Sequence, residues 1–382
     1  MKILVAVYNT IEHDGRVCRA AEAVSGCAEV HVLAIDSGSP YSNPHFKVAR
    51  VPPTPIPIIG KLISHPIFWF YFIRMARRLR PDVIHAHDFN MSLPGLLAAR
   101  LSGAKLIYDA HELSIPEPGK RLKARDLFCY LLERWTVLRA DIVIAANEER
   151  ARLMQSHYKL IETPIVVNNI PPAPSVVTPD QLEQVLSRFP SVRRNASDCC
   201  LIVYQGDISI DRGIERFIKA IENMPEGYRI IVIGGGPDLV VLQARYRAFD
   251  KARKVNFLGK VSGDQLPPLL AACDAGIVTY SFEGLNNIYC ASNKVFEYAH
   301  AGLPIVTTNQ PPLMHIVSKY GIGECITREE TPIQIADVIF QLANNIDKYR
   351  ACIPLFLADN AWADEAARLK VIVNHLLNQN GL

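Results

Sequence analysis

Short apolar runs rich in Val and Ile recur along most of the chain, separated by segments with helical spacing, and this alternation constrains the fold more than any other feature. Strands are expected near residues 3–8, 29–35, 82–86, 104–109, 141–145 and 164–167, and again near 200–205, 229–233, 254–258, 275–279 and 304–307. Runs such as Ile142-Val143-Ile144-Ala145 and Ile230-Ile231-Val232-Ile233 hold no polar residue. A strand apolar on both faces is covered on both, which marks a parallel sheet between helices. The expected fold class is α/β, with Rossmann-like, doubly wound parallel sheets.

A length of 382 residues suits two such units. The composition shifts between about 168 and 198, where Pro171, Pro172, Pro174, Pro179 and Pro190 precede the polar stretch Arg193 to Asp198. The expected division is a first unit at 1–170, a linker region at 171–198 with a helix at 180–188, and a second unit at 199–358. Residues 359–382 form an amphipathic helix with apolar positions 362, 366, 369, 373, 376 and 377, whose packing partner the spacing does not name.

A net charge of +3 excludes a dedicated nucleic-acid binder, and an apolar fraction of 49% excludes disorder. The first 170 residues hold 21 Lys and Arg against 16 Asp and Glu. Arg74, Arg77, Arg78 and Arg80 form one basic window, and Lys120, Arg121, Lys123 and Arg125 another. Each is either a solvated helix face or a patch for an anionic surface such as lipid headgroups. The aromatic run Ile67 to Ile73 is too short to span a bilayer, which takes about 20 apolar residues. Beside the arginines it would suit the membrane interface, and packing in the core is the competing reading. The 9 cysteines include no Cys-x-x-Cys pair, so reduced thiols and a cytoplasmic protein are expected, with no zinc site. The N-terminus reads as a strand rather than a signal peptide.

In open parallel sheets ligands bind beyond the carboxyl ends of the strands, so the turns there are the first candidates. Gly206 opens the turn that leads through Arg212-Gly213 into a helix at 213–223. Gly234-Gly235-Gly236 either lets a ligand approach the backbone, with Gly235 at its centre, or makes a tight turn. Ser292-Asn293-Lys294 starts a helix at 293–301, with Ser292 as N-cap and Gly302 as stop. Amides at that helix start and the Lys294 ammonium suit a phosphate; an intrahelical Lys294–Glu297 pair is the alternative. With no Asp-x-Asp in the chain, Arg212, Lys294 and helix amides would carry a diphosphate without a metal.

In the first unit, His111 and Glu112 follow the strand that ends at Asp109, placing an imidazole for hydrogen bonding or proton transfer. His85-Ala86-His87-Asp88 ends another strand; one imidazole is expected to pack while the other orients Asp88. Asp14 reads as the N-cap of the first helix, with Arg16 facing the ligand crevice.

Together, Asp82 to Asp88, Tyr108 to Glu112, Tyr204-Gln205-Gly206 with Arg212-Gly213, and Ser292 to Tyr298 followed by Ala301 to Pro304 resemble the retaining glycosyltransferase family four, also called glycosyltransferase group 1. The resemblance covers nearly the whole chain and implies the GT-B fold, two Rossmann-like domains with a cleft between them. It implies a nucleotide-diphosphate sugar donor on the second domain and a glycan or lipid-linked acceptor on the first, near Asp14, Arg16, His87, Asp88 and Glu112. The final helix would cross back to the first domain. Glu297 would hold the donor ribose, Arg212 the diphosphate, and His111 a sugar hydroxyl, with Gly206, Gly235, Asn293 and Lys294 also on the donor side and Val261 and Leu266 near the base. No metal or other cofactor is implied. Three positions depart from the family pattern: Tyr289 stands where a sugar-contacting glutamate is usual, Asp207 replaces a basic residue, and Asn9 to Gly15 replaces a Gly-Gly loop.

The expectation is a cytoplasmic retaining transferase of envelope polysaccharide or glycoconjugate assembly, contacting an anionic membrane at its periphery and no nucleic acid. A nucleotide-sugar epimerase, or a non-catalytic partner that binds nucleotide sugar or glycan, are the alternatives.

Overall fold

The structure is a computed structural model that describes residues 1–53, 59–117, 119, 123–248 and 254–379, without the side chains of His13, Arg125 and residues 59–63. It divides into two compact units, Met1–Asn169 with Trp362–Leu382, and Ile170–Ala361.

The first unit is built on a seven-stranded parallel sheet. Its strands are β1 (Lys2–Thr10), β2 (Glu29–Ile35), β3 (Lys47–Val51), β4 (Val83–His87), β5 (Lys105–Ala110), β6 (Ile142–Ala145) and β7 (Ile165–Val166). Their order is β3-β2-β1-β4-β5-β6-β7, so the winding reverses between β1 and β4. The helices are α1 (Gly15–Val24), α2 (Ile59–Leu79), α3 (Ser92–Ser102), α4 (Ala124–Val137) and α5 (Glu148–Tyr158). The helix Trp362–Gln379 belongs to this unit. Its Leu369, Ile372, Val373, Leu376 and Leu377 are buried in one cluster with Val17, Ala20, Ala21 and Val24 of α1. Arg19 lies 5.4 Å over the Trp362 ring, and Glu365 accepts from Asn168 at 2.8 Å.

The second unit carries a six-stranded parallel sheet of β8 (Cys200–Gln205), β9 (Tyr228–Ile233), β10 (Val255–Gly259), β11 (Ala275–Val278), β12 (Ile305–Thr308) and β13 (Gly323–Ile326). Their order is β10-β9-β8-β11-β12-β13, which reverses between β8 and β11. Every residue of β4, β8, β9, β11 and β12 is buried, the few polar ones among them, such as His85, His87 and Arg229, included.

Two strands that the sequence does not announce, β3 and β13, are the outer strands of their sheets. There one side needs no neighbour, so Lys47, Arg50 and Glu324 are tolerated and the apolar run disappears.

Residues 171–198 are not a free connector. The helix α6 (Pro179–Arg188) starts at a Thr178 capping box with Gln181. Arg229 of β9 then ties down the following stretch through the Ser191 carbonyl and the Asp198 carboxylate. The aromatic run of α2 also divides: Phe68 and Phe72 are core, whereas Phe70 and Tyr71 are 61% and 46% exposed, followed by exposed Arg74, Arg77 and Arg78. Of the second basic window only the Lys123 side chain is described, and it is exposed.

Candidate functional site

In the second unit the candidate residues gather at the β8/β11 reversal. Gly206 follows β8 at φ 128°, a conformation that costs a side-chain-bearing residue strain. From there the chain reaches Arg212 and Gly213, and then α7 (Ile214–Ile221). Thr279, just beyond β11, donates its hydroxyl to the Arg212 carbonyl at 2.8 Å and so fixes that turn. The Arg212 guanidinium lies 5.2 Å over the ring of Tyr280.

The helix Asn293–His300 delivers Lys294 to the same place. Buried Tyr298 seats this helix on the sheet by accepting from the Gln205 amide at 3.0 Å. Gly276 makes room, because a Cβ there would stand 2.3 Å from the Tyr298 ring. The Lys294 ammonium ends 4.6 Å from the Tyr204 ring centre and 5.3 Å from that of Tyr280, with no hydrogen-bond partner among the described residues. Burial, then the neighbouring Arg212 charge, push its pKa down to about 8 against the pull of Cys290, Glu297 and Asp207. The Lys294–Glu297 pair left open by the sequence is not formed; Glu297 accepts instead from the Gln205 side-chain amide. Ser292 occupies the N-cap, but its hydroxyl makes no capping bond, and both that oxygen and Asn293 Oδ1 are enclosed without partners. Two cations, uncapped amides and the unpartnered Ser292 hydroxyl thus meet at one helix start. That is an arrangement for an anion.

The glycine triplet resolves as backbone packing. A Cβ on Gly234 would stand 1.9 Å from the Gly206 carbonyl oxygen, and one on Gly236 2.2 Å from that of Ile208. The Gly235 carbonyl accepts from the Ile208 amide at 2.9 Å, so this turn is laid directly on the Gly206 turn. Half-buried Val261 and Leu266 lie beyond β10, further along the same sheet, while Asp207 is exposed. Half-buried Tyr289 follows the short helix Leu285–Ile288.

The first unit gathers its candidates at the β1/β4 reversal. Asp14 caps α1 by accepting from the Val17 amide at 3.2 Å. Arg16 turns inward rather than toward open space: its Nη2 and Nε donate to Asp109 Oδ1 and Oδ2 at 2.8 and 3.1 Å, and Nη1 donates to the Val167 carbonyl at 2.9 Å. Burial raises the Asp109 pKa, but Arg16 and the His87 bond outweigh it and hold the carboxyl well below its usual range.

His87 Nδ1 stands 3.4 Å from Asp109 Oδ2 and 3.1 Å from His111 Nε2, so the histidine orients Asp109 and His111, not Asp88. Burial, with Asp109 opposing and His87 and Arg16 reinforcing, moves the half-buried His111 well below the ordinary histidine pKa and keeps it neutral near pH 7. A neutral imidazole both donates and accepts, as a sugar hydroxyl requires. Arg150 holds the His111 carbonyl.

His85, His87 and Asp109 bring possible metal-ligand atoms within 4.8 Å of one another, a grouping that sequence spacing conceals. Arg16 already occupies both Asp109 oxygens, and its guanidinium would repel a cation there.

Asp88 points elsewhere. It sits at φ 66°, ψ 167°, strained for a residue with a side chain, and lines a cavity of about 1280 Å³ between α2 and α4. Burial raises its pKa; the Phe89 amide opposes this, Glu112, Glu133 and Asp14 add to it, and the result is about 7. Glu112, exposed at the same rim, also lines the cavity. Gln205, Tyr204 and Tyr280 join the second unit's site without having been assigned a role from the sequence. Their signal was position alone, at or just after a buried strand.

Comparison with known proteins places both sites in context. Residues 18–169 match the profile described as Glycosyltransferase Family 4, and residues 190–354 that of Glycosyl transferases group 1. The chain is 23% identical over 301 residues to a glycogen synthase of Mycobacterium tuberculosis; the match takes in 76% of this chain and 64% of the synthase, slightly under two thirds of its length. Among solved structures, Anabaena Alr3699/HepE in complex with UDP-glucose superposes with a TM-score of 0.74 at 16% identity, covering 98% of this chain and 100% of that one. WaaG, a glycosyltransferase involved in lipopolysaccharide biosynthesis, gives 0.67 at 17% identity over 96% and 95% of the two chains.

Proposed function

The chain belongs to the glycosyltransferases, its first half to family 4 and its second half to group 1, and from that premise we propose that it transfers a sugar from a nucleoside-diphosphate sugar to a glycan or lipid-linked acceptor, with retention and without a divalent metal. The observation that carries this reading is the Lys294 ammonium, enclosed beside Arg212 over aromatic faces and without a hydrogen-bond partner among the described residues. A buried cation with no carboxylate in hydrogen-bond contact is costly until an anion arrives. A diphosphate, held also by the amides at Asn293 and Lys294, fits that need.

In this reading Arg212 and Lys294 take up the negative charge that grows on the departing diphosphate. The bond between the sugar C1 and the diphosphate oxygen breaks, and the acceptor oxygen bonds to C1 from the same face. The acceptor proton passes to the leaving phosphate. Glu297, oriented by Gln205, binds the ribose hydroxyls, and Val261 and Leu266 flank the base. His111 binds a hydroxyl of the transferred sugar, and the acceptor lies on the first unit. The name of WaaG supports a place in envelope glycoconjugate assembly, and the UDP-glucose bound by HepE makes UDP-sugars the first donors to try.

A thermal-shift screen against UDP-, GDP-, ADP- and dTDP-sugars tests the reading. A ligand that binds only the folded state, at about 100 times its Kd, adds about 2.7 kcal/mol of stability. One nucleotide series should raise the Tm and then release nucleoside diphosphate when acceptor is present. No shift with any of the four overturns the reading, and a new sugar isomer formed without acceptor reassigns the chain as an epimerase.

The proposal extends to an anionic membrane surface, on the strength of exposed Phe70 and Tyr71 beside Arg74, Arg77 and Arg78. No helix among the described residues is long and apolar enough to cross a membrane. Co-sedimentation with anionic vesicles should be strong at low salt and weak at high salt; equal recovery with neutral vesicles refutes the extension.

A further inference from the structure

We infer that Tyr280 is a positioning residue of the second unit's anion site: its ring holds the Arg212 and Lys294 cations side by side before any phosphate arrives. That the phosphate belongs to a sugar donor rests on the transferase reading, whereas the hold on the two cations does not.

One ring is shared by two cations. The Arg212 guanidinium lies 5.2 Å from the Tyr280 ring centre and the Lys294 ammonium 5.3 Å. Both are inside the roughly 6 Å within which a cation is drawn to an aromatic face, an attraction that grows where water is excluded. Tyr204 adds a second ring, 4.6 Å from the ammonium, and is itself fixed, since its hydroxyl donates to the Asp207 carbonyl at 2.6 Å. Gly206 leaves the lysine its path, because a Cβ there would stand 2.9 Å from Lys294 Cε.

Tyr280 is locked at the backbone. Its amide donates to Thr308 Oγ1 at 3.2 Å. Its carbonyl and that of Ser281 accept from Gln310 Nε2 at 3.1 and 3.2 Å. Thr308 ends β12, and Gln310 stands at the N-cap of the helix Pro311–Tyr320; both are buried. One residue upstream, the Thr279 hydroxyl holds the Arg212 carbonyl. The turn after β11 therefore fixes the arginine's main chain through Thr279 and offers its guanidinium a ring through Tyr280. Such a ring is preorganised and does not have to be assembled when a ligand binds.

The use of a ring rather than an acid follows from what the site takes up. Burial opposes the charge on Lys294, Arg212 opposes it further, and Cys290, Glu297 and Asp207 act in its favour. A carboxylate set against both cations would stabilise them in the empty site, but it would then repel an incoming phosphate and have to be displaced. An aromatic face attracts a cation and carries no net charge, so it supports the empty site and leaves the phosphate's place open.

The test reads Lys294 directly, by 13C NMR of the full chain carrying ε-13C-labelled lysine; the resonance missing from Lys294→Met is its own. In the wild type it titrates near 8. Tyr280→Met keeps an apolar side chain and removes the ring, and it should lower that midpoint by about one pH unit, a tenfold change within the range of one enclosed cation–ring contact. Tyr280→Phe keeps the ring and should keep the midpoint. Tyr280→Leu takes the place of the methionine variant if that one does not fold. Calorimetry with inorganic pyrophosphate, UDP, GDP, ADP and dTDP supplies the binding readout. At pH 8 the methionine variant should bind about fivefold more weakly than wild type, its charged fraction being about one tenth against one half, and at pH 6.5 the two should agree within about twofold. A merely structural loss would be the same at both pH values. The inference is overturned if the midpoint stays or rises in the methionine variant, if phenylalanine lowers it as far as methionine does, or if the loss of affinity is equal at the two pH values. A lowered midpoint in a protein that binds pyrophosphate and none of the four nucleotides keeps the role of Tyr280 and removes the donor; nucleotide binding with an unmoved midpoint does the reverse.

Discussion

Lys294→Met weakens nucleoside-diphosphate binding by about ten- to a hundredfold, the range spanned by the loss of a hydrogen bond to a charged group. Methionine preserves the length and apolar contacts of the side chain and removes only the charge. A second signature accompanies the loss. In the free protein the Lys294 ammonium titrates near 8, because burial and Arg212 disfavour its charge. A bound diphosphate restores the advantage of the charged form and lifts the pKa again. Binding therefore takes up a proton above pH 8: wild-type affinity is full below that value and falls as pH rises, by at most about tenfold per pH unit. In the methionine variant this slope disappears. Calorimetric titration of the donor nucleotide between pH 7 and 9.5 measures both effects. A flat wild-type profile, or a variant that binds as tightly as wild type, would falsify the assignment of Lys294 to the phosphates.

The largest expected loss of stability lies in the first unit, at Arg16→Met. Arg16 is 8% exposed and Asp109 1%, and the guanidinium is the direct partner of both carboxylate oxygens. Removing one partner of a buried pair leaves an uncompensated charge and costs about 3–5 kcal/mol. For a domain of this size each kcal/mol lowers the Tm by about 2–4 °C, so a fall of roughly 6–20 °C is expected. Adding Asp109→Asn to Arg16→Met should recover part of that fall, since the stranded charge is then absent. A single variant that melts within 2 °C of wild type, or a double variant that is the sum of two independent losses, excludes the pairing as a source of stability.

The part of this molecule that could be read from sequence is the part whose residues are constrained one at a time. A strand buried on both faces is mostly apolar, so β8 and β9 are visible as runs around a single buried polar residue each, Gln205 and Arg229, while β3 and β13 at the sheet edges are not. Arg212 and Lys294 are visible because each sits at or after a turn that such a strand fixes, whereas Glu297 is marked only by the resemblance to the family. What is hidden depends on pairs. Arg16 and Asp109 lie 93 positions apart, and nothing local to either announces the other. The pair His85 and His87 reads as one packing imidazole and one that orients Asp88, until β4 is laid beside β5, where His87 falls opposite Asp109. Gln205 looks like a strand end until the fold brings Glu297 to its amide. Ser292 fits the N-cap preference and yet makes no cap, its hydroxyl standing enclosed and unpartnered beside the site.

The docking of Trp362–Gln379 against α1 imposes an order on the molecule's making. A ribosome emits the α1 face early and the helix that covers it only after all of Ile170–Ala361. At about 5–20 residues per second this leaves Val17, Ala21 and Val24 without their cover for roughly 17 to 70 seconds. During that interval the nascent chain presents a greasy stripe, a target for chaperones in the cell and for clumping in a test tube.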